Sequence, residues 1–178
     1  MRILREWYVA IALLVALVLD GVIAFYAQGI IFKGTYGASC WFTIIGIVLM
    51  GLCDDRNDSN IWLVFGIGIV ADLYYLGFLG VYTVAFPAVY FLAKSVARFL
   101  PEIFWARLMV SLAAYLLLDA YLFLAYSIAG TISLPISSLL MSILPSWGMC
   151  LIIFLITYSF WIWLINKYPF LKPENRFY

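Results

Sequence analysis

Three aspartates interrupt otherwise apolar stretches: Asp20 in Leu19-Asp20-Gly21-Val22, Asp72 in Ala71-Asp72-Leu73-Tyr74-Tyr75 and Asp119 in Leu118-Asp119-Ala120-Tyr121. Carboxylates in such a setting have three uses. Two that share a proton can act as acid and base on a substrate, a file of them can pass ions or protons, and a single one can accept hydrogen bonds from a neighbouring helix. Left charged against lipid, each would cost several kcal/mol, so each must face another such group, protein donors or water, or be protonated. No basic residue lies at their depth within the stretches, which argues against buried ion pairs. Asp72 and Asp119 imitate an aspartyl dyad in type alone, because nothing around either supplies a recognisable substrate or catalytic motif. Ion passage lacks carboxylate or basic partners running inward. Helix packing and hydrogen bonding is therefore the leading reading, with a partner-contact or lining role second.

The remaining reactive chemistry is sparse. Histidine is absent, which removes His-based triads, His ligation of zinc or haem and the usual side-chain switch near neutral pH. Cys40, Cys53 and Cys150 have no metal or redox spacing, and read as small apolar residues within helices. Gly66-Ile67-Gly68 lacks the strand context and further glycine of a phosphate-binding loop. Gly68 and Asp72 stand four apart, on one helix face, where a small residue permits close packing and the acid supplies an interhelical bond. Gly46 and Gly51 allow close approach in the same way. Tyr75 and Tyr126 follow Asp72 and Asp119 by three and seven residues, helix-compatible offsets, and with Tyr26 they make a small polar cluster conceivable. Neither catalysis, a cofactor nor a metal is expected.

The elements that must position these residues belong in a bilayer. Of 178 residues, 67% are hydrophobic and 11% charged, against about 45–50% and about 25% in a soluble domain. A soluble enzyme or nucleic-acid binder is excluded on that balance, and a net charge of +1 offers no field for nucleic acid. The first stretch, 7–27, has 21 residues and spans about 31 Å, close to the hydrocarbon thickness. Arg2 and Arg5 ahead of it suggest a signal peptide, but no A-x-A site follows and Asp20 interrupts it, so it is expected to stay as a helix. A turn over 28–36 leads to a second span at 37–53, ended by Asp54-Asp55-Arg56-Asn57-Asp58. The apolar stretch from Ile61 to Ala93 is too long for one span and breaks at Leu76-Gly77-Phe78-Leu79-Gly80. It reads as two shorter helices, 61–75 and 81–93, the second bent at Pro87. Crossing is preferred to a re-entrant pair, which would need neighbouring protein to satisfy its broken backbone. A fifth span at 108–128, a loop over 129–135, a partly exposed serine-bearing stretch and a last span at 144–165, with Pro145 near its start, complete a single domain.

Six spans put both termini on one side. Arg2, Arg5, Arg56, Lys94, Arg98, Arg107, Lys167, Lys172 and Arg176 then share that side, with Lys33 opposite, and the positive-inside rule assigns the termini to the cytoplasm. A five-span alternative would put the basic C-terminus outside. The expected class is thus an all-α, multi-pass membrane protein of six transmembrane helices. Asp20 lies 13 residues past Trp7, Asp72 11 past Ile61 and Asp119 11 past Leu108, so all three sit at similar depth in the outer half. Trp7, Trp41, Trp62, Trp105, Trp147, Trp161 and Trp163 fall mostly near span ends and read as interfacial anchors, Trp161 deeper.

This order of features resembles the rod shape-determining MreD family over most of the chain. The specific portion is Gly68, Asp72, Leu79 and Gly80 in a Gly-x-x-x-Asp-x-x-x-x-x-x-Leu-Gly arrangement, with Tyr90 downstream, a compact polar turn after the second span and Asp119 in the fifth. Relatives often carry proline in the turn that here reads Lys33-Gly34-Thr35-Tyr36, and other polar residues in the helix of Asp20. The resemblance implies a non-enzymatic component of the bacterial cell membrane that helps organise lateral peptidoglycan synthesis and rod shape. It implies as partners a bitopic MreC-like protein and, beyond it, an MreB-like filament, RodA-like and penicillin-binding wall synthases. Helix-packing or partner contact is expected at Asp20, Gly66, Gly68, Asp72, Leu79, Gly80, Tyr90 and Asp119. The alternative, also by resemblance, is the substrate-binding membrane component of an energy-coupling-factor transporter, with Asp72 and Asp119 lining an outward pocket.

Overall fold

A computed structural model describes residues 7–26, 32–33, 36–37, 39–53, 59–130, 136–168 and 170. Six helices occur among them: α1 (Tyr8–Tyr26), α2 (Phe42–Cys53), α3 (Ser59–Tyr75), α4 (Tyr82–Ala97), α5 (Phe104–Ile128) and α6 (Ile136–Lys167). The fold is all-α apart from a two-residue antiparallel ladder between β1 (Phe32–Lys33) and β2 (Tyr36–Gly37), inside the expected turn. Arg2, Arg5, the cluster 54–58 with Arg56, most of the loop 129–135, Lys172 and Arg176 lie outside the described residues.

Three helices, α1, α5 and the long C-terminal α6, are long and apolar enough to cross a membrane. At 1.5 Å per residue the other three rise about 18 Å (α2), about 25 Å (α3) and about 24 Å (α4), short of a hydrocarbon layer of about 30 Å. The shortest is also the most enclosed. Every residue from Thr43 to Gly51 is buried, because α1, α4, α5 and α6 pack around α2. A helix apolar on all faces is stable only with such cover. The other helices bury one face and keep an equally apolar outer one, as Leu14, Val18, Leu73, Phe91 and Leu155 illustrate, which suits lipid rather than water.

Close approach is set by glycine at four places, at Gly21 against the Tyr74 ring and at three others. An added Cβ at Gly68 would fall 2.8 Å from both Thr83 Cα and Tyr82 O, so α3 and α4 touch there backbone to backbone. One at Gly51 would meet Ala93 Cβ at 3.0 Å and Tyr90 O at 3.1 Å, and one at Gly46 the Trp161 ring at 2.6 Å. At Gly66 it would meet open space, so the packing face is carried by Gly68 alone of that pair.

Several boundaries differ from those read in the sequence. α2 starts at Phe42 rather than 37, and Ser39 to Trp41 precede it without regular structure. α6 starts at Ile136, so that Pro145 lies inside a continuous helix rather than near its start, while Pro87 lies inside α4 as expected. Trp161 is buried against Gly46, and Trp41 packs on Tyr75 and Tyr82 at 6.2 and 5.7 Å between ring centroids instead of anchoring at a surface. The start of α1 and the end of α6 meet, with Trp7 on Phe170 at 5.6 Å and Tyr8 on Tyr168 at 4.8 Å.

Candidate functional site

A helix leaves its first backbone N–H groups without intrahelical acceptors, and at membrane depth water cannot supply them. α2 and α4 each find a carboxylate from another helix for these groups. Asp20, buried on α1, accepts from Phe42 N through Oδ1 and from Thr43 N at 3.0 Å through Oδ2. Asp72, fully buried near the end of α3, accepts from Tyr82 N at 2.7 Å through Oδ1. Its Oδ2 accepts from Gly80 N at 2.8 Å, Thr83 N at 2.9 Å and the Thr83 hydroxyl. Negative charge at these positions also complements the helix dipoles.

Gly80, with φ of +130°, adopts a backbone conformation open to glycine, and Gly77 with φ of +72° does likewise. Together they turn the chain from α3 into α4 so that amides 80, 82 and 83 converge on one side chain. The Leu-Gly pair is thus conformational in its glycine, whereas Leu79 is exposed at the tip. Tyr90 is buried, and its carbonyl lies against Gly51.

Asp119 is half-buried and holds the Ser39 side chain ahead of α2. It accepts from Ser39 Oγ at 2.8 Å. Ser39 N donates to Ser146 Oγ at 3.1 Å, and Ser39 Oγ lies 3.1 Å from the same atom. Tyr115 OH accepts from Trp41 N at 2.6 Å and donates to Ser39 O at 3.2 Å. Asp20, Tyr115 and Ser146, from three helices, therefore bond the backbone at Ser39, Trp41, Phe42 and Thr43, and Asp119 holds the Ser39 side chain. Trp41 Nε1 and Thr43 Oγ1, buried in the same region, make no hydrogen bond of good geometry.

The three acids do not form one cluster. Asp20 and Asp72 are committed to the starts of two different helices and Asp119 to the Ser39 hydroxyl, and among the described residues no group of three or more Cys, Asp or Glu side chains is gathered for a metal. The tyrosines divide similarly: Tyr75 OH donates to Leu17 O at 2.8 Å, Tyr82 and Tyr126 hydroxyls lie 3.3 Å apart, and Tyr26 is exposed. Sequence reading missed Ser39, Thr83, Tyr115 and Ser146. A signal for one existed: Ser111, Tyr115 and Asp119 repeat at four-residue spacing and mark a polar face on α5.

Short helices whose starts are held by acids from their neighbours, inside an apolar exterior, define a membrane-embedded helical protein in which buried charge serves architecture. Residues 1–170 match the family model of the rod shape-determining protein MreD, and the chain belongs to that family. No curated protein and no solved structure shows a significant match. Membership carries a general role in cell shape at the membrane and points to a structural, non-catalytic part.

Proposed function

We propose that this protein is a six-span component of the bacterial cell-elongation machinery, with both termini in the cytoplasm, that helps organise lateral peptidoglycan synthesis. The observation that carries the reading is the family match over residues 1–170, joined to acids that are spent on two helix starts and on the Ser39 hydroxyl rather than gathered around a reacting centre. The contact between the start of α1 and the end of α6 favours an even number of crossings, and the one-sided distribution of Lys and Arg favours the cytoplasm for that end. Its partners are an MreC-like bitopic protein in the first place, then an MreB-like filament and RodA-like and penicillin-binding synthases. The Gly68/Asp72 contact of α3 with α4, the Leu79-Gly80 tip and the positions of Asp20, Tyr90 and Asp119 maintain the surface those partners meet. A transporter component is less well supported: the cavity beside Asp119, between α5 and α6, has about 120 Å³, below the several hundred Å³ usual for small-molecule sites.

Affinity purification from host membranes in mild detergent, with mass spectrometry of what co-purifies, tests the reading. Recovery of an MreC-like protein with wall synthases is expected, reduced for Asp72→Ala while the protein stays in the membrane fraction. Unchanged recovery and unchanged cell shape with that variant would remove the role given to Asp72, and recovery of a transporter subunit with paired ATPases would replace the whole reading.

A further inference from the structure

α6 is longer than a bilayer needs. Its 32 residues rise about 48 Å against a hydrocarbon layer of about 30 Å, and at a tilt of about 40°, the upper end of what spanning helices show, they still rise about 37 Å. The inner end is fixed by a neighbour: Tyr168 meets Tyr8 at the start of α1, whose 19 residues rise about 28 Å and so only just cover the layer. The excess therefore stands at the other end, about 12 residues for an upright helix, from Ile136 to the neighbourhood of Trp147.

A helix that faces water turns charged and polar side chains outward. α6 carries no charged residue before Lys167, and in its outer turns Leu140 and Leu144 are 64% and 79% exposed, with Met141 exposed beside them. The same face continues into the bilayer through Trp147, Leu151 and Leu155, exposed at helical intervals of three and four residues. Midway along it an added Cβ at Gly148 would meet open space, so the backbone there is bare to a neighbouring helix. Lipid covers such a face inside the hydrocarbon but not beyond it, and a protein confined to water covers only the part beyond. One kind of occupant covers both parts, a helix that leaves the bilayer beside α6 and keeps its apolar side toward it. We propose that this face of α6 is the docking surface for a transmembrane helix of another protein, one that continues as a helix past the outer surface alongside Leu144 and Leu140. The inference rests on the six-span reading and deepens the proposed function, assigning the helix and the face on which its bitopic partner packs.

The photoreactive residue p-benzoylphenylalanine, placed in the full chain in host membranes instead of Leu144 or Leu151, tests it. Both positions should cross-link one and the same single-span protein, the adduct from 151 mapping inside its membrane segment and the adduct from 144 to the residues just past it. Leu144→Glu, at a position turned outward, should lower recovery of that protein in mild detergent about tenfold or more while elution and melting stay as in the wild type. Should this variant fail to fold, the two adducts decide. Adducts to lipid alone, to a second copy of this chain or to different proteins at the two positions, or full recovery with folded Leu144→Glu, would overturn the proposal. A single-span protein foreign to wall synthesis, cross-linked at both positions, would keep this surface and remove the proposed function. Wall-synthesis proteins recovered with the wild type but without an adduct at either position would do the reverse.

Discussion

Asp72 serves four donors with two oxygens, and the division between them governs what each substitution does. Oδ1 faces one amide and Oδ2 faces two amides and a hydroxyl, so an asparagine amide must set its NH2 against at least one backbone N–H. Asp72→Asn should therefore cost about 1–3 kcal/mol, one unsatisfied buried donor, and Asp72→Ala more, measured by thermal unfolding in detergent. Equal losses for the two, or none, would contradict the capping role. The glycines separate as clearly. Gly68→Ala would press a methyl into the backbone of Tyr82 and Thr83 and cost about 1–3 kcal/mol, whereas Gly66→Ala meets open space and should be neutral or stabilise the helix by about 0.5–1 kcal/mol. Residue type and spacing made Asp72 and Gly68 legible in the sequence. Gly66 stood out equally there, and only the rotation of α3 against α4 shows that it packs on nothing described.

At the level of elements, hydropathy located every apolar stretch but not the ends of the helices built from them. Ser39 to Trp41 carry no helix breaker, and what holds them outside the helix is a set of side chains that arrive from α5 and α6. No local pattern encodes that arrival. The same holds for α6, where Pro145 reads as a start, because proline at the first helical position is favoured, yet serves inside a helix whose packing on α5 extends it toward Ile136. Tyr115→Phe isolates one of the arriving groups. It should leave Trp41 N without an acceptor and Ser39 O without a donor, lower stability by about 1–3 kcal/mol and speed hydrogen exchange at the Trp41 amide. Wild-type exchange there would mean that the amide finds another acceptor.

Across the whole molecule, α2 stands at the centre with longer helices around it, and polar groups of its neighbours meet its start. That Asp20, Asp72 and Asp119 would need protein partners was legible from their apolar surroundings; their separate commitments were not, since residue number along a helix says nothing of what lies across from it. Orientation is tested by cysteine labelling on a background without native cysteines. Glu102→Cys should react with an impermeant maleimide only from the cytoplasmic side and Ala129→Cys only from the opposite side, and the reverse pattern would invert the topology. The most direct test of the architecture is hydrogen–deuterium exchange of the purified protein with Asp20→Ala and Asp72→Ala. Asp20→Ala should lose protection at amides 42 and 43 while 80, 82 and 83 stay slow, and Asp72→Ala should do the converse. Protection unchanged in both variants would contradict the assignment of these carboxylates as the groups that hold α2 and α4 in place.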